Sequence, residues 1–128
     1  MKCTVNQKRP VNLDLTSLKY PPMAIVSILH RISGLILFIL LPVMLYLLGM
    51  SLRSTASFQL LQNLLVHPFY KLMLWGFSAA LGYHLLAGIR HLAMDMGWGE
   101  GLCAGRRSAV TVIVLAVILT IALGIWIW

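Results

Sequence analysis

Residues 32–52 read ISGLILFILLPVMLYLLGMSL, a run without a single charged side chain. A helix of about 20 apolar residues crosses the hydrocarbon core of a bilayer, and residues 23–31 extend this run at its front. Two further stretches share the character. Leu72–Ile89 is free of formal charge between Lys71 and Arg90, with His84 its polar exception, and Ser108–Trp128 carries no charge at all. These runs are too long for soluble strands and lack the alternation of a membrane barrel strand. The fold class is therefore an all-α membrane protein. Its three transmembrane helices span roughly 23–51, 68–96 and 107–128, behind an N-terminal tail of residues 1–22.

Composition agrees with the runs. Of 128 residues, 60% are hydrophobic and 10% charged, and the mean hydropathy is +0.91. Soluble domains run at about 45–50% apolar and about 25% charged, so a water-soluble globular domain is excluded. Ten Lys+Arg against three Asp+Glu give a formal charge of +7. The basic residues fall between apolar runs rather than on one polar face, so the excess reports membrane topology and not nucleic-acid binding.

Lys2, Lys8, Arg9 and Lys19 lie in the tail, Arg106 and Arg107 in the 97–107 loop, and only Arg53 in the 51–67 loop. By the positive-inside rule the N-terminus and the second loop are cytoplasmic and the Trp126/Trp128 end lies outside. Met1–Pro22 is polar and mixed, unlike a cleaved signal peptide. Cys3 and Cys103 are too few for a disulfide framework and wrongly spaced for a zinc or iron–sulfur site.

Prolines and glycines mark the ends of the spans. Pro21-Pro22 precede the first helix, and Pro68 suits the first turn of the second. Gly97, Gly99, Gly101 and Gly105 are expected to break the chain before the third. Pro42, inside the first span, is expected to kink it, which neighbouring helices tolerate.

Ionisable side chains inside a span cost a few kcal/mol or more, so they carry a partner or a task. In the first helix Ser27, His30 and Arg31 sit at i, i+3 and i+4 and share one face, which Gly34 keeps open one turn on. A hydroxyl, an imidazole and a guanidinium at the membrane border suit an anionic or carbonyl-bearing ligand. The plainer alternative has Arg31 snorkelling to lipid phosphate and Ser27 bonding back to its own helix.

In the second helix, at about 100° per residue, His84, Gly88, His91 and Asp95 fall on one stripe with Ala80, while Arg90 points about 120° away. A histidine with Ala and Gly one turn to either side has a cleared surface, as a porphyrin edge lying against a helix needs. A histidine hydrogen-bonded to a neighbouring helix is the competing account. His91 and Asp95 read as a His–carboxylate pair, as contacts nearer the surface, or as ordinary solvation of a helix end.

Depth bears on whether one chain could ligate haem twice. His84 lies about 16 Å from Asp95 along the helix, and His30 about 10 Å inside the start of helix one. His30 is therefore expected nearer the level of His91 than of His84, and an intrachain His30–His84 pair of axial ligands looks strained. His67 reads as a polar residue before Pro68.

Three motifs carry a family resemblance. Arg9-Pro10-Val11-Asn12-Leu13, then Ser27-x-x-His30-Arg31-x-Ser33, then His84-x-x-x-Gly88-Ile89-Arg90-His91-x-x-Met94-Asp95-x-Gly97 resemble the signatures of the cytochrome b membrane-anchor subunits of bacterial succinate dehydrogenases. The resemblance covers nearly the whole chain, in order and in register with the spans. It implies half of a helical anchor bundle shared with a second three-helix membrane subunit. The two would hold a flavoprotein and an iron–sulfur subunit at the cytoplasmic face of the bacterial inner membrane. Electrons from succinate would reach ubiquinone, with one haem b between the two anchors.

By the family pattern His84 is one axial haem ligand and the partner supplies the other. Ser27 and Arg31 match quinone-site positions, and His30, Arg31 and His91 fall where haem propionates are approached. Arg9 and Asp14 on the tail are placed to dock the soluble subunits, or are simply solvated.

Two other readings compete. One is a haem-less quinone anchor of a fumarate reductase-type complex. The other, from a different class, is a small transporter subunit with a proton path through His84, His91 and Asp95. The third span argues against the latter, having no ionisable residue and only Thr111 and Thr120 to line a pore. No catalysis is expected of the isolated chain: it has no flavin fingerprint and no cysteine set for a cluster.

Overall fold

The computed structural model describes residues 20–128, which form four helices: α1 (Pro22–Arg53), α2 (Thr55–Val66), α3 (Pro68–Asp95) and α4 (Leu102–Ile127). The Arg9–Leu13 motif, Asp14, Cys3 and almost all of the 1–22 tail lie outside the described residues. Three of the helices, α1, α3 and α4, are long and apolar enough to cross a membrane. They correspond to the three expected spans.

Local chemistry explains the boundaries. Pro21 caps α1 in an extended conformation and Pro22 opens its first turn, where a missing N–H costs nothing. The helix stays continuous across Pro42. Pro68 opens α3, and its cap is His67, whose Nδ1 accepts the Phe69 N–H at 3.2 Å. His67 is thus a capping residue rather than an incidental polar one. Gly97 and Gly99 adopt φ of +85° and +77°, values that L side chains resist, and so make the turn after α3.

Two boundaries differ from the sequence reading. The 51–67 stretch is not a loop: it holds α2, started by a capping box in which Ser54 and Ser57 exchange side-chain to backbone bonds. The helix is 12 residues long, about 18 Å, too short to span a bilayer but long enough to lay Leu61 against the bundle. The third span begins at Leu102 rather than near residue 107, with Gly101 as its cap. Gly105 therefore lies inside α4, where it is buried. A Cβ there would come within 2.9 Å of Met23 Sδ, so this glycine permits close packing instead of breaking the chain. Arg106 and Arg107 sit exposed on the first turns of α4.

α3 is the central element, packing against both α1 and α4. The core is small: Val26, Ala87, Ala109 and Val112, with Met23, Tyr83, Leu86 and Ile113 around them. It gathers where α1 starts, α3 ends and α4 starts, and small residues let the helices approach there. Side-chain hydrogen bonds tie the helices together. Tyr83 donates to the Val26 carbonyl at 2.9 Å and Trp75 to the Thr120 carbonyl at 2.9 Å. Buried Arg90 donates to Ser108 Oγ at 3.0 Å and to the Gly105 carbonyl at 3.2 Å. In the most apolar stretch of α1 the chain itself buries no residue. Phe38, Leu85 and Ile125 are among many large apolar side chains left facing outward, as lipid or a further helix requires.

Candidate functional site

The packed end of the bundle also gathers three of the four histidines. His30 of α1 stacks on His84 of α3, with ring centroids 4.1 Å apart and planes 19° from parallel. His91, two turns further along α3, tilts against His30 with ring centroids 5.1 Å apart and planes at 44°. His30 is therefore closer to His84 than to His91, which corrects the depth expectation. A count along separate helix axes ignores how far side chains reach and how α1 is set against α3.

The protonation of His84 follows from its partners. Its Nδ1 lies 3.2 Å from the His30 carbonyl oxygen, which can only accept, so Nδ1 carries the proton and donates it. Ser33 Oγ stands 3.0 Å from the same nitrogen. The Ser33 hydroxyl spends its own proton on the His30 carbonyl at 2.8 Å, so toward His84 it accepts. With Nδ1 engaged in this way, Nε2 is the ring nitrogen left to meet a metal, which histidine binds through an unprotonated nitrogen.

Gly34 makes the approach possible: a Cβ there would stand 3.2 Å from His84 Cε1. Gly88 lies beside His30, but a Cβ there would stand 3.7 Å from its Nε2, an ordinary contact. That Nε2 is buried and has no hydrogen-bond partner among the described residues. Such a ring nitrogen costs about 1–3 kcal/mol when left unpaired, so the position suits a polar group from outside the chain.

Beside the cluster runs an open groove of about 380 Å³, lined by His30, His84, Gly88 and His91 with Leu85, Ile89 and Leu92. Two imidazoles that ligate one metal from opposite sides point nitrogens at each other across about 4 Å. Stacked rings present faces instead, so His30 and His84 cannot be opposite ligands of one iron in this arrangement. Among the described residues no group of three or more His, Cys, Asp or Glu side chains is set to hold a metal ion.

Ser27 is half-buried one turn before His30, and Arg31 is exposed on the flank of α1. The hydrogen bonds of the histidine cluster run through Ser33 and the His30 carbonyl, not through these two. Asp95 is exposed at the end of α3. Arg90 lies off the histidine stripe and reaches α4.

The succinate dehydrogenase/fumarate reductase transmembrane subunit family matches residues 5–123 of the sequence. The chain belongs to that family. It is 52% identical over 125 residues to a succinate dehydrogenase cytochrome b556 subunit of Coxiella burnetii, covering 97% of this chain and 100% of the relative. A subunit of the same name from Rickettsia typhi is 33% identical over 98% of both chains. One from Paracoccus denitrificans is 31% identical over 88% of this chain and 87% of the relative.

Membership places this chain among the transmembrane subunits of an oxidoreductase complex, as the resemblance of its motifs suggested. Within this family member, sequence reasoning assigned no task to Ser33 or Arg90. Ser33 closes the Ser27–Ser33 motif, but a serine in an apolar helix reads as a small packing residue until its cross-helix partner is known. For Arg90 the available signal was its 120° offset from the stripe, which directs it at whichever helix follows.

Proposed function

We propose that this chain is a membrane anchor of a succinate:ubiquinone oxidoreductase, residues 1–22 forming a cytoplasmic tail and 23–128 an anchor domain. It would contribute one ligand to haem b and part of a quinone site. The observation that carries the reading is the pinned His84 imidazole beside an open groove: two oxygens of α1 hold its Nδ1, which leaves Nε2 as the nitrogen available to a ligand. The residues present fit one side of a haem and not both, because His30 stacks on His84 instead of opposing it. The second ligand would come from another small membrane subunit.

Haem, when bound, is a one-electron carrier. This chain's residues bind and orient around it. His84 offers Nε2. His30, with its unpaired buried Nε2, and His91 lie where a propionate would find hydrogen-bond donors. Arg31, exposed on the flank of α1, offers five donors to a propionate or to the negative charge that develops on a reduced quinone. Ser27 would donate its hydroxyl proton to a quinone carbonyl. The basic tail and the first turns of α4, with Arg106 and Arg107, would face the cytoplasm of a bacterial cell and the docked iron–sulfur and flavoprotein subunits.

The reading is tested by comparing two assays on the complex carrying Arg31→Leu. Succinate:quinone reductase activity should fall at least tenfold while electron transfer from succinate to a soluble dye holds near wild type. Equal loss in both would mark Arg31 as an assembly residue and contradict its place in the quinone site.

A further inference from the structure

We infer that Ser33 is a positioning residue for His84, setting both the tilt of the imidazole and its strength as a ligand. The inference rests on the haem reading above. Ser33 is one of only two buried residues of α1 and keeps 5% of its surface exposed. A hydroxyl buried in an apolar span has to be partnered, and the partners of this one are specific. It donates to the carbonyl of His30, one turn back, which fixes where the oxygen lone pairs point. They point across to α3 and His84 Nδ1, at 3.0 Å.

The N–H of His84 is thus shared between two acceptors of α1, and the serine oxygen is nearer than the His30 carbonyl at 3.2 Å. The ring is boxed by the His30 face and by Gly34, which leaves room for it but little to spare.

Two consequences follow from general ligand chemistry. An acceptor on Nδ1–H shifts electron density toward Nε2 and raises its donor strength. A stronger donor favours the oxidised metal, so the Ser33 hydroxyl holds the reduction potential of the group ligated by His84 lower than a carbonyl acceptor alone would. The same bond limits rotation of the imidazole about its Cβ–Cγ axis, which fixes the ring plane relative to the groove.

The test is redox titration and low-temperature electron paramagnetic resonance of the purified complex carrying Ser33→Ala. Wild type, His84→Leu and Thr111→Ala serve as references; Thr111 is an exposed α4 hydroxyl bonded to its own helix. Ser33→Ala should raise the midpoint potential of the b-type signal and change the anisotropy of its ferric spectrum, while Thr111→Ala moves neither. If Ser33→Ala does not assemble, Ser33→Cys decides. A thiol is a weak acceptor of similar size, and it should shift both readouts in the same direction by less.

An unmoved potential and spectrum, in a complex whose haem signal His84→Leu abolishes, would overturn the role of Ser33 and leave the haem reading intact. A wild-type complex with no b-type signal would overturn both.

Discussion

At the scale of single residues, the site is built from groups whose polar atoms must be satisfied away from water. His84 meets that demand through the His30 carbonyl and Ser33, and in doing so commits its proton to Nδ1. His30 meets it only in part, since its Nε2 stays buried and unpaired. Gly34 clears space for the His84 ring. Ser27 stands apart, half-buried one turn toward the start of α1. Its task in the proposed site is a single hydrogen bond to a quinone oxygen. Ser27→Ala should therefore raise the apparent KM for quinone severalfold, in line with a bond of about 0.5–1.5 kcal/mol, with the b-type spectrum unchanged. A steady-state titration with a short-chain quinone measures it, and an unchanged KM removes Ser27 from the site.

At the scale of elements, α3 is held to α1 and α4 by side chains that bond across to them. Tyr83 fastens α3 to α1 at Val26, Trp75 fastens it to α4 at Thr120, and Arg90 fastens it to α4 at Gly105 and Ser108. Arg90 makes two bonds from a buried charged group, so Arg90→Leu should cost about 1–3 kcal/mol. It should lower the detergent unfolding temperature of the complex more than Trp75→Phe, which loses a single neutral bond. Equal shifts for the two variants would contradict the role given to Arg90.

The spans were legible in the sequence because charge-free length and the prolines at 21–22 and 68 are local signals. The histidine stripe was legible because a helix has a fixed period. α2 was not, because a search for bilayer-length runs passes over a 12-residue helix and because its capping box carries Ser57 where Glu or Gln is the usual mark. Nor was the early start of α4: the packing need at Gly105, set by Met23 some eighty residues earlier, has no local signature. The stacking of His30 on His84 and the bond from Ser33 depend on how α1 is set against α3, which no single-helix count contains.

At the scale of the whole molecule, a small core and a largely outward apolar surface suit a subunit that sits among lipid and other helices. The buried cluster sits at one end, and along the rest of the spans the chain covers little of its own surface. The loop after α3, between Asp95 and Leu102, and the α2 segment lie at opposite ends of the bundle, since each follows a span of opposite direction. On the proposed reading, the positive-inside rule would put the first in the cytoplasm. A membrane-impermeant thiol reagent should label Gln62→Cys in spheroplasts and should label Glu100→Cys above the parent chain only after lysis. The reverse pattern would invert the topology and detach the proposed site from the cytoplasmic face.

The central claim is that His84 offers Nε2 to a haem iron. It is tested most directly by the dithionite-reduced minus oxidised absorption spectrum of the purified complex, taken for wild type and for His84→Leu. A low-spin b-type signal in wild type that is lost or altered in a variant whose helices still insert is the predicted result. An identical low-spin spectrum in His84→Leu would contradict the claim and leave His84 as a packing residue between α1 and α3.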